Sequence, residues 1–158
     1  MRYLRAATLL GLAVTIATPA NAQDDAKAVL AKIGVNRGIC VLVGADADQA
    51  IDLAKQSELT IFVQRADAKT VAEMCAKVDA AGLLGTRIYV QKGGYQHLHL
   101  ANDMADAVLT DSAAKNEHAE ALRIVRPDGK VISGNTVAVK PYPKDTGEWS
   151  HPYHGPDN

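Results

Sequence analysis

The stretch Gly38-Ile-Cys-Val-Leu-Val-Gly44-Ala-Asp-Ala-Asp-Gln49 decides how the rest of this 158-residue chain is read. Ile39, Cys40, Val41, Leu42 and Val43 form an unbroken apolar run, rich in β-branched residues and closed by Gly44. A run so short and so uniformly apolar predicts a strand buried on both faces. The period then changes. Ala47, Ala50, Ile51 and Ala54 share one helical stripe between residues 45 and 55. Strand, glycine turn and helix open a βαβ unit. In open α/β sheets ligands bind beyond the carboxyl ends of such strands. The Gly44 turn is therefore the first place to expect a small-molecule site.

The same alternation extends in both directions. Upstream, residues 23–33 read as an amphipathic helix with Ala26, Val29, Leu30 and Ile33 on one side. Downstream, the helix from Ala45 ends near Ser57, and residues 59–63 form a second β-rich run. Asp67 is placed to cap a helix whose stripe is Val71, Met74, Cys75 and Val78. Gly82 and Gly85 close that helix. Residues 87–91 form a third strand, followed by Gly93 and Gly94. The period weakens over residues 95–104, which read as loop with a short extended piece.

A fourth strand covers 105–110 and ends at Asp111. Residues 116–125 are helical, with Ala119, Leu122, Ile124 and Val125 inward. Pro127-Asp128-Gly129 reads as a turn. Fifth and sixth strands follow at 130–133 and 136–139. The expected fold is α/β: a doubly wound, mostly parallel Rossmann-like sheet with helices on both faces and right-handed crossovers.

Composition supports this class. Hydrophobic residues make up 47% of the chain but aromatics only 4%, so alanine and valine carry the interior, as suits a parallel sheet. The net charge of −1 offers no basic excess for nucleic acid. Residues 1–22 have the features of a signal peptide: Arg2 and Arg5, a short apolar run, and the A-x-A cleavage site Ala20-Asn21-Ala22. Without that segment the charge falls to −3, because it contains two Arg and no acidic residue. No later stretch is long enough to span a bilayer.

Export would place Cys40 and Cys75 in an oxidising compartment, where free thiols and a disulfide are both open. Neither belongs to a C-x-x-C pair, which argues against zinc. The expected organisation is a signal peptide at 1–22, a domain at 23–140, and an irregular tail or linker at 141–158. That tail holds six Pro or Gly residues together with Tyr142, Trp149 and Tyr153.

Five segments carry a family resemblance. Ile39-Cys-Val-Leu-Val-Gly44, the 59–64 strand, the 87–94 strand and turn, and Leu100 through Asp111 follow the order of motifs in class I S-adenosylmethionine-dependent methyltransferases. Glu120-Ala-Leu-Arg-Ile-Val-Arg-Pro-Asp-Gly-Lys-Val-Ile132 resembles that family's E-x-x-R-V-L-K-P-G-G helix-turn-strand, the most specific of the five. The resemblance covers roughly residues 35–135. It implies an S-adenosylmethionine site formed by Gly44, Ala45, Gln64, Asp67, Gly94 and Asp111, with the methyl acceptor undetermined. The sequence departs from the family in two places. Ala45, Asp46 and Ala47 follow Gly44 where the family is glycine-rich, and Gln64 stands where an acidic residue would take both ribose hydroxyls. Asp67, three residues on, is a candidate substitute.

The tail Glu148-Trp-Ser-His-Pro-Tyr-His-Gly-Pro-Asp-Asn158 resembles the junction of exported bacterial proteins in which a methyltransferase-like domain precedes a PQQ-like β-propeller. Two functional readings stay open: an exported methyltransferase, and a degenerate Rossmann module that binds no cofactor and works as a packing or interaction unit. The second predicts a narrowed cleft at the first strand end, filled by side chains such as Asp46 or Tyr95. It also allows self-association or docking of a downstream domain through the tail.

Other polar residues have plainer readings. Asp46 and Asp48 suit helix capping and dipole complementarity. His97 and His99 form an H-x-H pair with no third ligand nearby, and His151 and His154 lie near Asp157 in the tail. No Ser/His/Asp or Cys/His arrangement is legible.

Overall fold

The computed structural model describes residues 20–110 and 115–144. Ten elements follow in the order α1 (Ala20–Ile33), β1 (Arg37–Val43), α2 (Ala47–Gln56), β2 (Glu58–Arg65), α3 (Ala68–Ala80), β3 (Ile88–Lys92), β4 (Ala105–Thr110), α4 (Lys115–Ile124), β5 (Val125–Ser133) and β6 (Thr136–Val139). The six strands form one sheet in the order β3-β2-β1-β4-β5-β6. All neighbours are parallel except the antiparallel β5–β6 hairpin. The chain winds outward from β1 to β3, then returns to the other side of β1 with β4. The switch point between β1 and β4 is thus the crevice where this class of sheet takes ligands.

Alternation along each strand sorts the interior into two layers. Cys40, Leu42, Ile61, Val63 and Leu109 face α1, α2 and α3. Val41, Val43, Phe62, Val108 and Val131 face the other way, toward α4 and residues 95–100. The first face is covered by three helices. The second is covered by one helix and by the irregular crossover at 93–104, whose Leu98 is 1% exposed. Helices therefore lie on both faces, and one β-to-β crossover is made without a helix.

Local chemistry explains the boundaries. Asp46 caps α2 by accepting from the Gln49 amide at 2.9 Å, and Asp67 caps α3 by accepting from the Thr70 amide at 2.7 Å. Arg87 closes the far end of α2, donating to the Ala54 and Ser57 carbonyls at 3.2 and 2.8 Å. A cation there also complements the helix dipole. Lys130 Nζ donates to the Lys32 carbonyl at the end of α1, and Lys32 Nζ donates to the Gly134 carbonyl, tying α1 to the β5–β6 hairpin.

Several expectations need correction. Pro127-Asp128-Gly129 is not a turn between elements. It is a bulge inside β5, where pairing with β4 passes from Ala105↔Val125 to Ala107↔Lys130. Asp128 takes φ +63 there. The tripeptide's turn chemistry is spent on extra residues within a strand. On α4, Ala119 is exposed, and Ala121 and Ile124 form the inward stripe with Leu122 half-buried. α1 begins at Ala20, ahead of the expected start at residue 23. Cys40 and Cys75 are both free; Cys40 is buried, and Cys75 is only half-buried. Burial, with the Asp106 charge adding, pushes the Cys40 thiol up to about 12.

Pro141–Lys144 adds no helix or strand after β6. Residues 1–19 of the leader and 145–158 of the tail, with Trp149, His151, Tyr153 and His154, lie outside the described residues, as does Asp111.

Candidate functional site

The first turn is built as the sequence suggests. Gly44 takes φ +86, a conformation that an L side chain resists, and this lets the chain leave β1 sharply and enter α2. β4 ends level with β1, because Thr110 pairs with Val43. The crevice between the two strand ends has a volume of about 110 Å³, with Val43, Ala45, Gln49, Thr110 and Gly134 in its walls. Two larger hollows flank it. One of about 210 Å³ lies between Arg65, Thr70, Glu73 and Lys77. The other, about 260 Å³, lies beside Asp25, Asp46, Asp48 and Asp52. Pockets for drug-sized ligands run from roughly 300 to 1,000 Å³, so each hollow is smaller than that class.

Turn residues are also engaged elsewhere. Ala45 is 7% exposed and packs with the α1–α3 layer. Its carbonyl accepts from Arg65 Nη1 at 3.1 Å. Asp46 serves as the α2 cap, and Asp48 pairs with Lys77 at 2.6 Å.

Gln64 departs most from what was expected of it. β2 does not end at this residue: Gln64 still pairs with Val43 on one side and Gln91 on the other, and the strand runs on to Arg65. Strand alternation therefore turns the Gln64 side chain into the α4-side layer, where it is 0% exposed. Its Nε2 donates to the carbonyls of Gly94 at 2.7 Å and His97 at 2.9 Å, and its Oε1 accepts from the His99 amide at 3.0 Å. Both amide hydrogens are thereby used. The ribose contact expected of this side chain is not available while residues 94–99 sit over it.

The same segment is held from α4. Glu120 Oε1 accepts from the Leu98 amide at 2.8 Å. Arg123 grips Glu120 through both Nε and Nη2 and donates to the carbonyls of Leu98 and Leu100 and to Asn102 Oδ1. Glu120 and Arg123 are the E-x-x-R pair of the motif noted above. Their work here is to hold the irregular crossover onto the sheet. Hydrogen bonds from Arg123, aided by the Leu98 amide, hold the Glu120 carboxyl down at about 2 against the opposing effect of burial.

Asp67 is exposed. Its Oδ2 accepts from Thr70 twice, from the amide and from Oγ1 at 2.7 Å each, and this local cap holds its carboxyl below the usual range. The Lys69 amide and the Lys92 charge add to that lowering. Gly94 contributes its carbonyl to Gln64, and a Cβ added to it would meet nothing within 4 Å. Gly93 is the crowded glycine: a Cβ there would lie 2.7 Å from Gln64 Nε2. Tyr95 packs against the α4-side layer rather than in the crevice.

His97 and His99 lie with ring centroids 6.2 Å apart; His99 meets Gln91 and His97 faces Glu120 at 3.5 Å. Among the described residues no group of three or more His, Cys, Asp or Glu converges. Nor is any described helix long and apolar enough to cross a membrane.

No protein-family model matches the chain, and no curated protein matches it significantly. Solved structures do. A SAM-dependent methyltransferase from Aquifex aeolicus superposes with a TM-score of 0.61 at 18% identity, over 72% of this chain and 65% of that one. TYW2 of M. jannaschii, crystallised in complex with AdoMet, gives 0.57 at 16%, over 71% and 52%. The fold is methyltransferase-like. The [4+2]-cyclase SpnF also superposes, with a TM-score of 0.62 at 17% identity over 69% of this chain and 43% of that one. A shared sheet thus does not determine the reaction. The chain spans only 43–65% of these structures' own lengths.

The site as it stands does not fit S-adenosylmethionine, and residues 94–99 cover Gln64 without lining the crevice. The crevice is about 110 Å³, and the Gln64 amide and the Ala45 carbonyl are already engaged.

Proposed function

We propose that this is an exported S-adenosylmethionine-dependent methyltransferase-like domain that takes its cofactor at the β1–β4 switch point once residues 94–99 lift. The observation that supports this best is the topology. The strand order reverses beside the left-handed Gly44 turn, where the backbone can approach a ligand. In that reading Gly44 and Ala45 lie along the methionine part of the ligand. Asp67, exposed at the end of β2, takes over from Gln64 at the ribose, with Gly94 beside it. Asp111, which lies outside the described residues, completes the set that the family resemblance implies. The bound cofactor would supply an electrophilic methyl group; the chain's own residues would hold and orient it. The acceptor is left open.

Calorimetric titration of the chain with S-adenosylmethionine and S-adenosylhomocysteine tests this. Binding is expected, weakened by Asp67→Ala. The absence of heat and of any thermal shift at millimolar ligand would sink the cofactor reading. Amino-terminal sequencing of the secreted chain is expected to begin at Gln23.

A second reading rests on the buried Gln64 amide. If residues 94–99 never lift, the chain itself fills the cleft, and the domain is a packing or interaction unit of a longer protein such as one with a PQQ-like propeller. Its partner surface would run through the tail, from Tyr142, which is 60% exposed. Sedimentation of the chain with and without residues 141–158 separates the cases. A change in association state supports the tail as an interface, and two equally monomeric forms exclude it.

A further inference from the structure

We infer that residues 93–104 are a strap that closes over the carboxyl ends of β2 and β3, and that its 94–99 part opens as one unit while the sheet and the strap's anchored ends stay folded, with Gln64 as its latch. The inference depends on the functional reading above only where a nucleoside is named as the ligand that opening admits.

The strap is attached unequally at its two ends. Its carboxyl end is fixed by backbone bonds to the end of α4, from the Asp103 amide to the Arg123 carbonyl and from the Met104 amide to the Ile124 carbonyl. The Lys140–Asp103 pair at 2.6 Å adds to that anchor. Its middle is gripped by Glu120 and Arg123. The stretch from Gly94 to His99 is different. Leu98 is buried and held by Glu120 and Arg123, Tyr95 packs on the α4-side layer, and the exposed His97 and His99 meet Glu120 and Gln91; the remaining bonds of this stretch to the sheet all run through the amide of Gln64. That one side chain makes three bonds to three strap residues, so losing it frees them together.

Burial along the strap is slight. Within 93–104, Leu98 alone is fully buried; Gly93, Tyr95 and Leu100 are half-buried, and the other eight are exposed. The strap belongs to neither a helix nor a strand. Segments with few buried apolar contacts open at lower free energy than the sheet beneath them. Gly93 is the natural pivot. It approaches Gln64 and His99 too closely for any Cβ, while the adjoining Gly94 has open space around it. What opening exposes is the end of β2 beside Asp67, where the ribose of a nucleoside would sit. The carbonyls of Gly94 and His97 hold Gln64's donors until then, so strap and ligand compete for one place.

Hydrogen exchange on the full chain, wild type beside Gln64→Met, tests this. Methionine keeps the buried volume and removes all three bonds. In wild type the Leu98 and His99 amides should exchange at a common rate, at least about a hundredfold faster than those of Val41 and Val63. In Gln64→Met the strap amides should speed up at least about tenfold while Val41 and Val63 stay unchanged. Strap amides that exchange only with the sheet in wild type overturn the inference, even if the variant fails to fold. Equal strap rates in the two chains overturn the latch whatever either chain binds.

S-adenosylmethionine and adenosine are then titrated into both. Tighter binding to Gln64→Met supports competition between strap and nucleoside. Equal binding by both chains removes the competition and leaves the cofactor reading standing. A strap that opens in the variant with no ligand bound to either chain supports the latch and overturns the cofactor reading.

Discussion

Gly38→Ala is expected to destabilise the chain by about 3 kcal/mol or more. Gly38 lies in β1 at φ +138, a region L side chains rarely adopt. An added Cβ would fall onto Oδ2 of Asp106, in the neighbouring strand β4. That carboxylate is not free to retreat. Oδ2 accepts from the Ile39 amide at 2.8 Å, and Oδ1 accepts from Arg126 Nε at 2.7 Å. Moving it strands a part-buried amide and breaks an ion pair whose acidic partner is 18% exposed. Backbone strain and lost bonds therefore add. Gly94→Ala, with open space around the new methyl, is the control and should stay within about 0.5 kcal/mol of wild type. Urea denaturation of the three proteins decides it, and a Gly38→Ala chain within 1 kcal/mol of wild type, on the order of one ordinary substitution, would refute the account.

Glu120→Gln should cost about 2–3 kcal/mol at pH 7 and little at pH 2. The side chain of Glu120 is 12% exposed, so solvent screens it weakly. Its folded-state carboxyl is depressed from 4.5 to about 2, chiefly by Arg123. A depressed acid stabilises the fold when ionised in both states, above its ordinary value. That contribution is lost as pH falls from about 4.5 toward 2, because the unfolded chain takes up the proton first. Other carboxylates also titrate in this window, so the quantity to follow is the gap between wild type and Glu120→Gln. It should be wide at pH 7, narrow through pH 4 and nearly close by pH 2. A gap that persists at pH 2 would show that the pair acts through shape rather than charge.

Legibility differed sharply between the fold and the site. β1, β2, β4 and the helices between them could be read because each buries a face whose period is written into the chain: Val41 and Val43 against Cys40 and Leu42, and Ala50, Ile51 and Ala54 on α2. The caps Asp46 and Asp67 were equally legible, since capping is satisfied within three residues. Local signals failed where two elements share a residue. Pro127-Asp128-Gly129 carries turn chemistry, but β4 and the residue that follows β6 draw it into a bulged strand, through the Ala105↔Val125 pairing and the Asp128 amide bond to the Lys140 carbonyl.

The crossover at 93–104 shows the same limit at the candidate site. Its weak period marked it as irregular. Nothing local said that it would lie over β2, because its partners Gln64, Glu120 and Arg123 come from elements far apart in sequence. The E-x-x-R spacing did signal a pair on one helical turn, though not what that pair would hold.

By itself, then, the sequence determined the α/β class, the strand and helix alternation and the Gly44 turn, since each follows from burial or backbone preference over a few neighbouring residues. Only the tertiary structure decided what Gln64 does. Whether its amide meets a ribose or the chain's own carbonyls depends on one further residue of β2 pairing, which turns the side chain inward, and on a segment thirty residues later that folds back to meet it.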